Sequence, residues 1–406
     1  MTSRLPVIFI CITIVIDAMG IGLILPVMPD LIREVQGGDL GQAAVWGGVL
    51  ATIFAVMQFI FGPLLGNLSD RFGRRPVLLT SLVVMALDYV VMAVAGTIWL
   101  LLFGRLVGGI TAATQSTAMA YMADISKPEE KSANFGLIGA SFGIGFVLGP
   151  LIGGALAEFG TRAPFYAAAV LAMANFGFGY FILPETVTDR IRRPFSWKRA
   201  NPLGAFKHVG ALPGLRPLLL LIFVYGIAFF VYPAIWAYYG QERFGWGPGM
   251  VGVSLGIYGV AIAVVQGVLM RPILRLIGER RAVIYGLGFE VLAFVLLGFV
   301  TVGWLALAFT IFAALGAVAG PALQGIMSQT ADDNQQGELQ GTLAAINSVA
   351  VIFAPLIMTQ TFYYFTHDSA PFYLPGAPFL LSAILTVLCI GLFLMARPES
   401  DEAASD

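Results

Sequence analysis

"GNLSDRFGRRPVLLTSLVVMALDY" occupies residues 66–89. Asp70, Arg71, Arg74 and Arg75 crowd together, an apolar run follows, and a lone acid, Asp88, sits inside that run. The charges read as the wet end of a helix pair and the run as a segment entering lipid. Composition extends that reading to the whole chain. Its 406 residues are 58% hydrophobic and 11% charged, against about 25% charged for soluble proteins, and mean hydropathy is +0.87. Most of the length must therefore face lipid. A net charge of -1 gives no sign of a nucleic-acid partner. Cys11 and Cys389 lie in apolar runs without metal-ligand spacing and read as small hydrophobes. Neither a zinc motif nor a phosphate loop appears, so no metal and no cofactor is expected.

A helix needs about 20 apolar residues to cross the hydrocarbon. Breaks at charges, prolines and Gly-rich turns predict twelve spans: 6–31, 43–66, 76–96, 98–122, 133–158, 163–184, 216–240, 250–270, 281–301, 303–328, 338–362 and 376–396. The first is too long for a signal-peptide core and lacks a small-residue cleavage site, so it reads as a retained span. With both termini inside, only Arg33, Arg162 and Arg243 fall outside, and Arg105 lies within a span; the rest of the 22 Lys and Arg residues are cytoplasmic. The expected location is the cell (inner, cytoplasmic) membrane. The expected layout is an N-terminal six-helix bundle (1–185), a basic cytoplasmic linker (186–215), a C-terminal six-helix bundle (216–400) and a tail (401–406).

A shift of 205 positions lays "FGRR" over "IGER", with Gly73 on Gly278 and Arg75 on Arg280. The same shift lays "VLGPLI" (147–152) over "IFAPLI" (352–357). One offset serving two motifs implies two repeats of one six-helix unit. Parallel repeats of this kind are the plan of the major facilitator fold, with substrate near the midplane. "GNLSDRFGRR" resembles the signature loop of the major facilitator superfamily. "GIGFVLGPLIGG" (143–154) resembles the signature of its antiporter branch, and "GRLVGGITAAT" (104–114) a third signature in which Arg105 is the basic residue. "IDAMGIGLILPVMPDL", "RFGW", "MVGVSLG", "GPALQGIMS" and "QQGELQG" are similar to segments of the tetracycline/proton antiporter group. The likeness runs from about residue 10 to 395.

In the loop, Asp70, Arg71 and Arg74 are read as a gate with Asp124 of "MADIS", since an Arg fork can grip a carboxylate bidentately. The bland alternative is a loop anchor that only sets topology. Gly145, Gly149 and Gly153 recur every four residues and share a helix face with Pro150 nearby. They read either as close packing or, by resemblance, as an antiporter seam that blocks a proton leak.

A mid-membrane acid costs about 2.5–3.5 kcal/mol on insertion scales and is a functional hypothesis by default. Asp17, Asp88 and Glu290 fall at similar depths, and Arg105 reaches nearly the same layer from the other face. These four are the proton-coupling candidates; structural helix-helix ties are the alternative for each. Gln58, Gln266, Gln324 and Asn347 are mid-span amides, and Tyr225, Phe229, Tyr232, Trp236 and Tyr258 form an aromatic set. Both groups are substrate-binding candidates. Tetracycline exporters carry aspartate at the place of Glu290 and often a histidine where Ile262 stands, so the chain departs from them there.

The expected function is proton-coupled export of a hydrophobic or amphipathic, drug-like molecule, with the tetracycline class as one candidate, by a monomer in the bilayer, with protons as the coupling ion. A nutrient symporter is the rival within the same fold. A membrane-embedded enzyme or sensor is the rival from another class. His208 and His367 both fall in loops, which leaves no span with a histidine for a zinc set, and no stretch is long enough for a signalling domain.

Overall fold

The computed structural model describes residues 5–112, 114–127, 130–189, 192–197, 199–204, 215–331 and 335–396. The expected tail (401–406), His208 and much of the expected linker lie outside the described residues, as do both chain ends. All the regular structure described is helical.

Eleven helices are long and apolar enough to cross a membrane. They are α1 (Leu5–Gln36), α2 (Leu40–Phe72), α3 (Arg74–Val94), α4 (Ile98–Ile125), α5 (Ala133–Phe159), α6 (Ala163–Ile182), α7 (Arg216–Phe244), α8 (Pro248–Phe299), α9 (Gly303–Thr330), α10 (Gln336–Thr366) and α11 (Ala377–Met395). The chain is thus an all-α, multi-pass membrane fold, but the expected twelve spans in two six-helix repeats are corrected to eleven long helices. The difference lies in α8, a stretch of 52 residues that takes up both 250–270 and 281–301. Charges at Arg271, Arg275, Glu279, Arg280 and Arg281 mark a break in hydropathy. Within this stretch two helical segments meet at a kink, where Gly278 leaves helical angles (φ 75°, ψ 165°).

Helix ends elsewhere follow local chemistry. Asp39 accepts from the Gln42 N–H at 2.6 Å and starts α2. Thr97 does the same for the Leu100 N–H at 3.3 Å and starts α4. Gly73 ends α2 at φ 117°, a conformation costly for any residue with a Cβ.

The described chain forms two compact units. The first comprises Met1–Pro202 and Trp246–Gly259, the second Leu203–Gly245 and Val260–Asp406. In the first unit α1 lies along α5, α3 along α6 and α2 along α4. Its core gathers Phe9, Ile10, Ile14, Leu78, Tyr121 and Met122. In the second, α8 packs on α9 and α11, and α7 packs on α10 and α11. Leu219, Leu221, Val283, Leu323, Leu343 and Phe393 lie in its core.

The α1–α5 contact is close because α5 presents glycine there. A Cβ on Gly149 would come within 2.6 Å of the Met19 carbonyl oxygen and 2.8 Å of Gly22 Cα. Gly145 and Gly153 meet the Val15 and Leu23 carbonyls, one turn on either side. Without a hydrophobic force between helices in lipid, backbone approach of this kind supplies the dispersion contact that joins them.

Candidate functional site

The first unit holds three of the four ionisable groups expected at mid-membrane depth. Asp88 on α3 is buried, with 4% of its surface exposed. Arg105, on the first segment of α4, donates from Nη2 to Asp88 Oδ2. Space for the carboxylate comes from Gly104 and Gly108, where any Cβ would fall 2.8 Å from Oδ1 and 2.6 Å from Oδ2 respectively. The guanidinium also lies over the Phe54 ring, 5.2 Å from its centroid. Tyr89, the next residue on α3, is buried with its hydroxyl against Gly20 of α1. It interacts electrostatically with Asp17, Asp88 and Arg105. Asp17 itself is only partly buried and forms no ion pair among the described residues. So α3 and α4 bring Asp88 and Arg105 together, and Tyr89, a residue that sequence reading passed over, packs on α1 at Gly20, three residues past Asp17.

The fourth group, Glu290, lies on α8 in the second unit and is 2% exposed. Tyr225 of α7 donates its hydroxyl to Glu290 Oε1 at 2.8 Å. The other oxygen, Oε2, is buried with no hydrogen-bond partner. Gly316, in a short 3-10 segment (Ala314–Val318) of α9, faces the side chain: a Cβ there would overlap Glu290 Cγ and lie 3.2 Å from the carboxyl carbon. No cation forms an ion pair with Glu290 among the described residues.

At the arginine-rich turn, Arg74 bridges two acids. Its Nη1 is 2.6 Å from Asp70 Oδ1 and its Nε donates to Asp124 Oδ2 at 3.1 Å. The structure therefore brings together Asp70, Arg74 and Asp124. Arg71 is exposed, with its guanidinium over the Phe72 ring at 5.0 Å. Two features went unread in the sequence. Glu185, just past α6, accepts from the N–H groups of Arg74 (2.9 Å) and Arg75 (3.2 Å), filling the orphan donors at the start of α3. Arg199 reaches Asp70 Oδ2 at 3.6 Å, while Asn67 donates to the Ser196 carbonyl at 2.6 Å. The available signal was an acid directly after Pro184, at the end of an apolar run.

Gly145, Gly149 and Gly153 face α1, as described. The opposite face of α5 meets the start of α8 within the first unit. A Cβ on Gly256 would lie 2.6 Å from Leu151 Cγ, and one on Gly259 would come 2.5 Å from Val147 Cγ2. Gly252 meets the Pro150 carbonyl. The readable signal was the four-residue spacing of Gly252 and Gly256 in "MVGVSLGIYG".

The aromatic set is mostly interior. Tyr232 and Trp236 are 5% and 3% exposed, and both rings pack on Phe379. Phe229 is half-buried between Tyr225 and Tyr232. Tyr258 is buried on α8 in the first unit. The amides differ: Gln58, Gln266, Gln324 and Asn347 are all exposed. Gln266 stands in a π-helical turn, Val265–Leu269, a local widening that recurs at functional sites. Gln324 donates to Gln340 Oε1 at 3.5 Å. Between α10 and α11, Tyr373 donates to Glu242 at 2.7 Å, and burial together with that carboxylate pushes its phenol up to about 12.

The family model described as Major Facilitator Superfamily matches residues 10–275 and 218–406. Tetracycline resistance protein, class C, of Escherichia coli is 41% identical over 89% of this chain and 91% of its own length. Tetracycline resistance protein, class G, of Vibrio anguillarum is 37% identical over 94% and 95%. Among solved structures, the human organic anion transporter MFSD10 (TETRAN) superposes with a TM-score of 0.70 at 25% identity, covering 97% of this chain and all (100%) of that one.

Proposed function

The chain belongs to the major facilitator superfamily and is homologous to tetracycline resistance proteins, and from that premise we propose that it exports a hydrophobic, drug-like molecule in exchange for protons by alternating access. The observation that carries this reading is the pair of differently held acids in helices that must cross lipid. Asp88 is locked to Arg105, whereas Glu290 is held only by a tyrosine hydroxyl. A buried acid with no fixed cation can gain or lose a proton without breaking an ion pair, which is what a coupling site needs. Asp17, partly exposed and beside Tyr89, is the second carrier. The exposed amides Gln58, Gln266, Gln324 and Asn347, with Tyr225 and Phe229, are the groups that meet the guest. The names of the homologous proteins favour the tetracycline class, while Glu290 shapes which members of it are accepted.

Arg74, with Asp70 and Asp124, serves as the gate. The positive-inside pattern puts that turn on the cytoplasmic face. An Arg fork holding two carboxylates near lipid biases a two-state equilibrium towards the state in which it forms. The glycine seam on α5 keeps the path tight to protons during exchange.

The test uses purified protein in liposomes, with a panel of tetracyclines and other cationic, neutral and anionic aromatic compounds. Substrate addition is expected to release protons from the wild type and not from Asp17→Asn. Asp70→Asn and Arg74→Ala are expected to slow turnover while leaving binding affinity near its original value. Substrate uptake in the same direction as the proton would make the chain a symporter and overturn the reading.

A further inference from the structure

A cavity of about 250 Å³ lies beside the arginine-rich turn of the first unit. It is lined by Leu65, Leu68 and Phe72 of α2, by Pro76, Val77, Thr80 and Ser81 of α3, and by Thr111 of α4. Phe72 is 59% exposed, so the cavity reaches the surface. Thr111 turns its hydroxyl to its own helix, donating to the Val107 carbonyl at 3.0 Å. Three hydroxyl residues contribute to the lining, yet the surface it presents is mostly hydrocarbon.

The turn above this slot carries three arginines, and two are committed. Arg74 holds Asp70 and Asp124. Arg75 donates to the Tyr180 carbonyl at 2.6 Å and covers the Tyr180 ring. Arg71 forms no ion pair among the described residues and rests its guanidinium on Phe72, the same ring that lines the slot. A bare guanidinium at the lip of an apolar slot, at the boundary between a hydrophobic helix and its wet turn, matches one ligand in both parts. A phospholipid has a phosphate for the fork of Arg71 and methylenes for the slot. The cytoplasmic leaflet, where the charge pattern puts this turn, is the anionic one.

We propose that this slot holds an anionic phospholipid, its phosphate on Arg71 and the first methylenes of one acyl chain against Leu65, Leu68 and Phe72. Asp70 is the neighbouring residue, so the lipid sits beside the Asp70–Arg74 pair.

The experiment uses the full chain in detergent with phosphatidylglycerol carrying a photoactivatable diazirine on its acyl chain, and mass spectrometry to locate the label. Label is expected on α2 and α3 between Leu65 and Val77. Arg71→Ala should lower it about fivefold, the factor that corresponds to one basic residue near an anionic surface. Arg71→Lys, which keeps the charge but loses the fork, should retain more label than Arg71→Ala, and Leu68→Trp, which fills the slot, should remove it. Arg192→Ala, at an exposed arginine in the segment after α6, should leave it unchanged. Labelling equal in wild type, Arg71→Ala and Leu68→Trp would overturn the proposal. So would equal loss in Arg192→Ala, which signals general surface charge, or in Arg71→Lys, which signals a structural role. Displacement by inorganic phosphate as effective as by unlabelled phosphatidylglycerol would mean a free-anion site with no acyl chain. Equal labelling by phosphatidylcholine would remove the anionic requirement.

Discussion

Asp88 and Glu290 are both carboxylates buried in helices that must sit in lipid, and the two units hold them in opposite ways. Asp88 has a full counter-charge in Arg105, a guanidinium that also lies over Phe54. Glu290 has one neutral donor, Tyr225; in both acids the second oxygen, Asp88 Oδ1 or Glu290 Oε2, is buried with no hydrogen-bond partner. The difference separates cost from use. A buried ion pair is expensive to break, because removing one partner strands the other. A carboxyl held by a hydroxyl loses only a hydrogen bond when its charge changes. The first arrangement suits a fixed tie between α3 and α4; the second suits a group that titrates in service.

The largest effect should come from breaking the tie. Arg105→Ala leaves Asp88 buried without its cation, and loss of one member of such a pair costs about 3–5 kcal/mol. The variant is expected to lose most of its folded yield on size-exclusion chromatography. The double variant Arg105→Ala with Asp88→Asn should recover much of that yield, since no stranded charge remains. Absence of recovery would mean that the arginine stabilises the unit by some route other than Asp88.

Next is the contrast between amide substitutions. Glu290→Gln keeps an oxygen for Tyr225 and should shift thermal stability by less than about 1 kcal/mol. Its proton-coupled exchange should fall sharply. Asp88→Asn leaves Arg105 buried and unneutralised, so it should melt well below Glu290→Gln. If the two melt together, the comparison between a tie and a titrating group fails.

A third test concerns the space around each acid. A Cβ at residue 316 would overlap Glu290 Cγ, so Gly316→Ala should cost about 1–3 kcal/mol through overpacking. Glu290→Asp withdraws a methylene and should relieve much of that cost in the double variant. It should leave the cost of Gly104→Ala, beside Asp88, untouched. Thermal denaturation of the four proteins decides it.

The smallest effect should come from Tyr225→Phe. It removes one hydrogen bond at Glu290, worth roughly 0.5–1.5 kcal/mol. A loss of transport equal to that of Glu290→Gln would show that the hydroxyl itself is part of the proton path.

The membrane character of the chain, the multi-helix class and the presence of acids inside apolar runs were legible in the sequence because each is a local property. Apolar runs long enough for lipid announce themselves by composition, and an acid inside one stands out against it. Turn chemistry was legible for the same reason: Gly73 takes a positive φ that its residue type permits. Helix number was not. Two spans were expected on either side of the charged 270–281 segment, but the chain takes the 52 residues from Pro248 to Phe299 as one long stretch whose helical segments meet at a kink at Gly278, and how two segments join across a kink is set by backbone angles and packing, not by charge. The roles of the acids were not legible either. Asp88 and Arg105 are 17 residues apart, Glu290 and Tyr225 are 65 apart, and Glu185 meets the start of α3 across more than a hundred residues (111). Whether a buried carboxylate meets a guanidinium, a phenol or nothing depends on which helix packs beside it and how that helix is rotated. Long-range packing settles this, and no short window of residues encodes it.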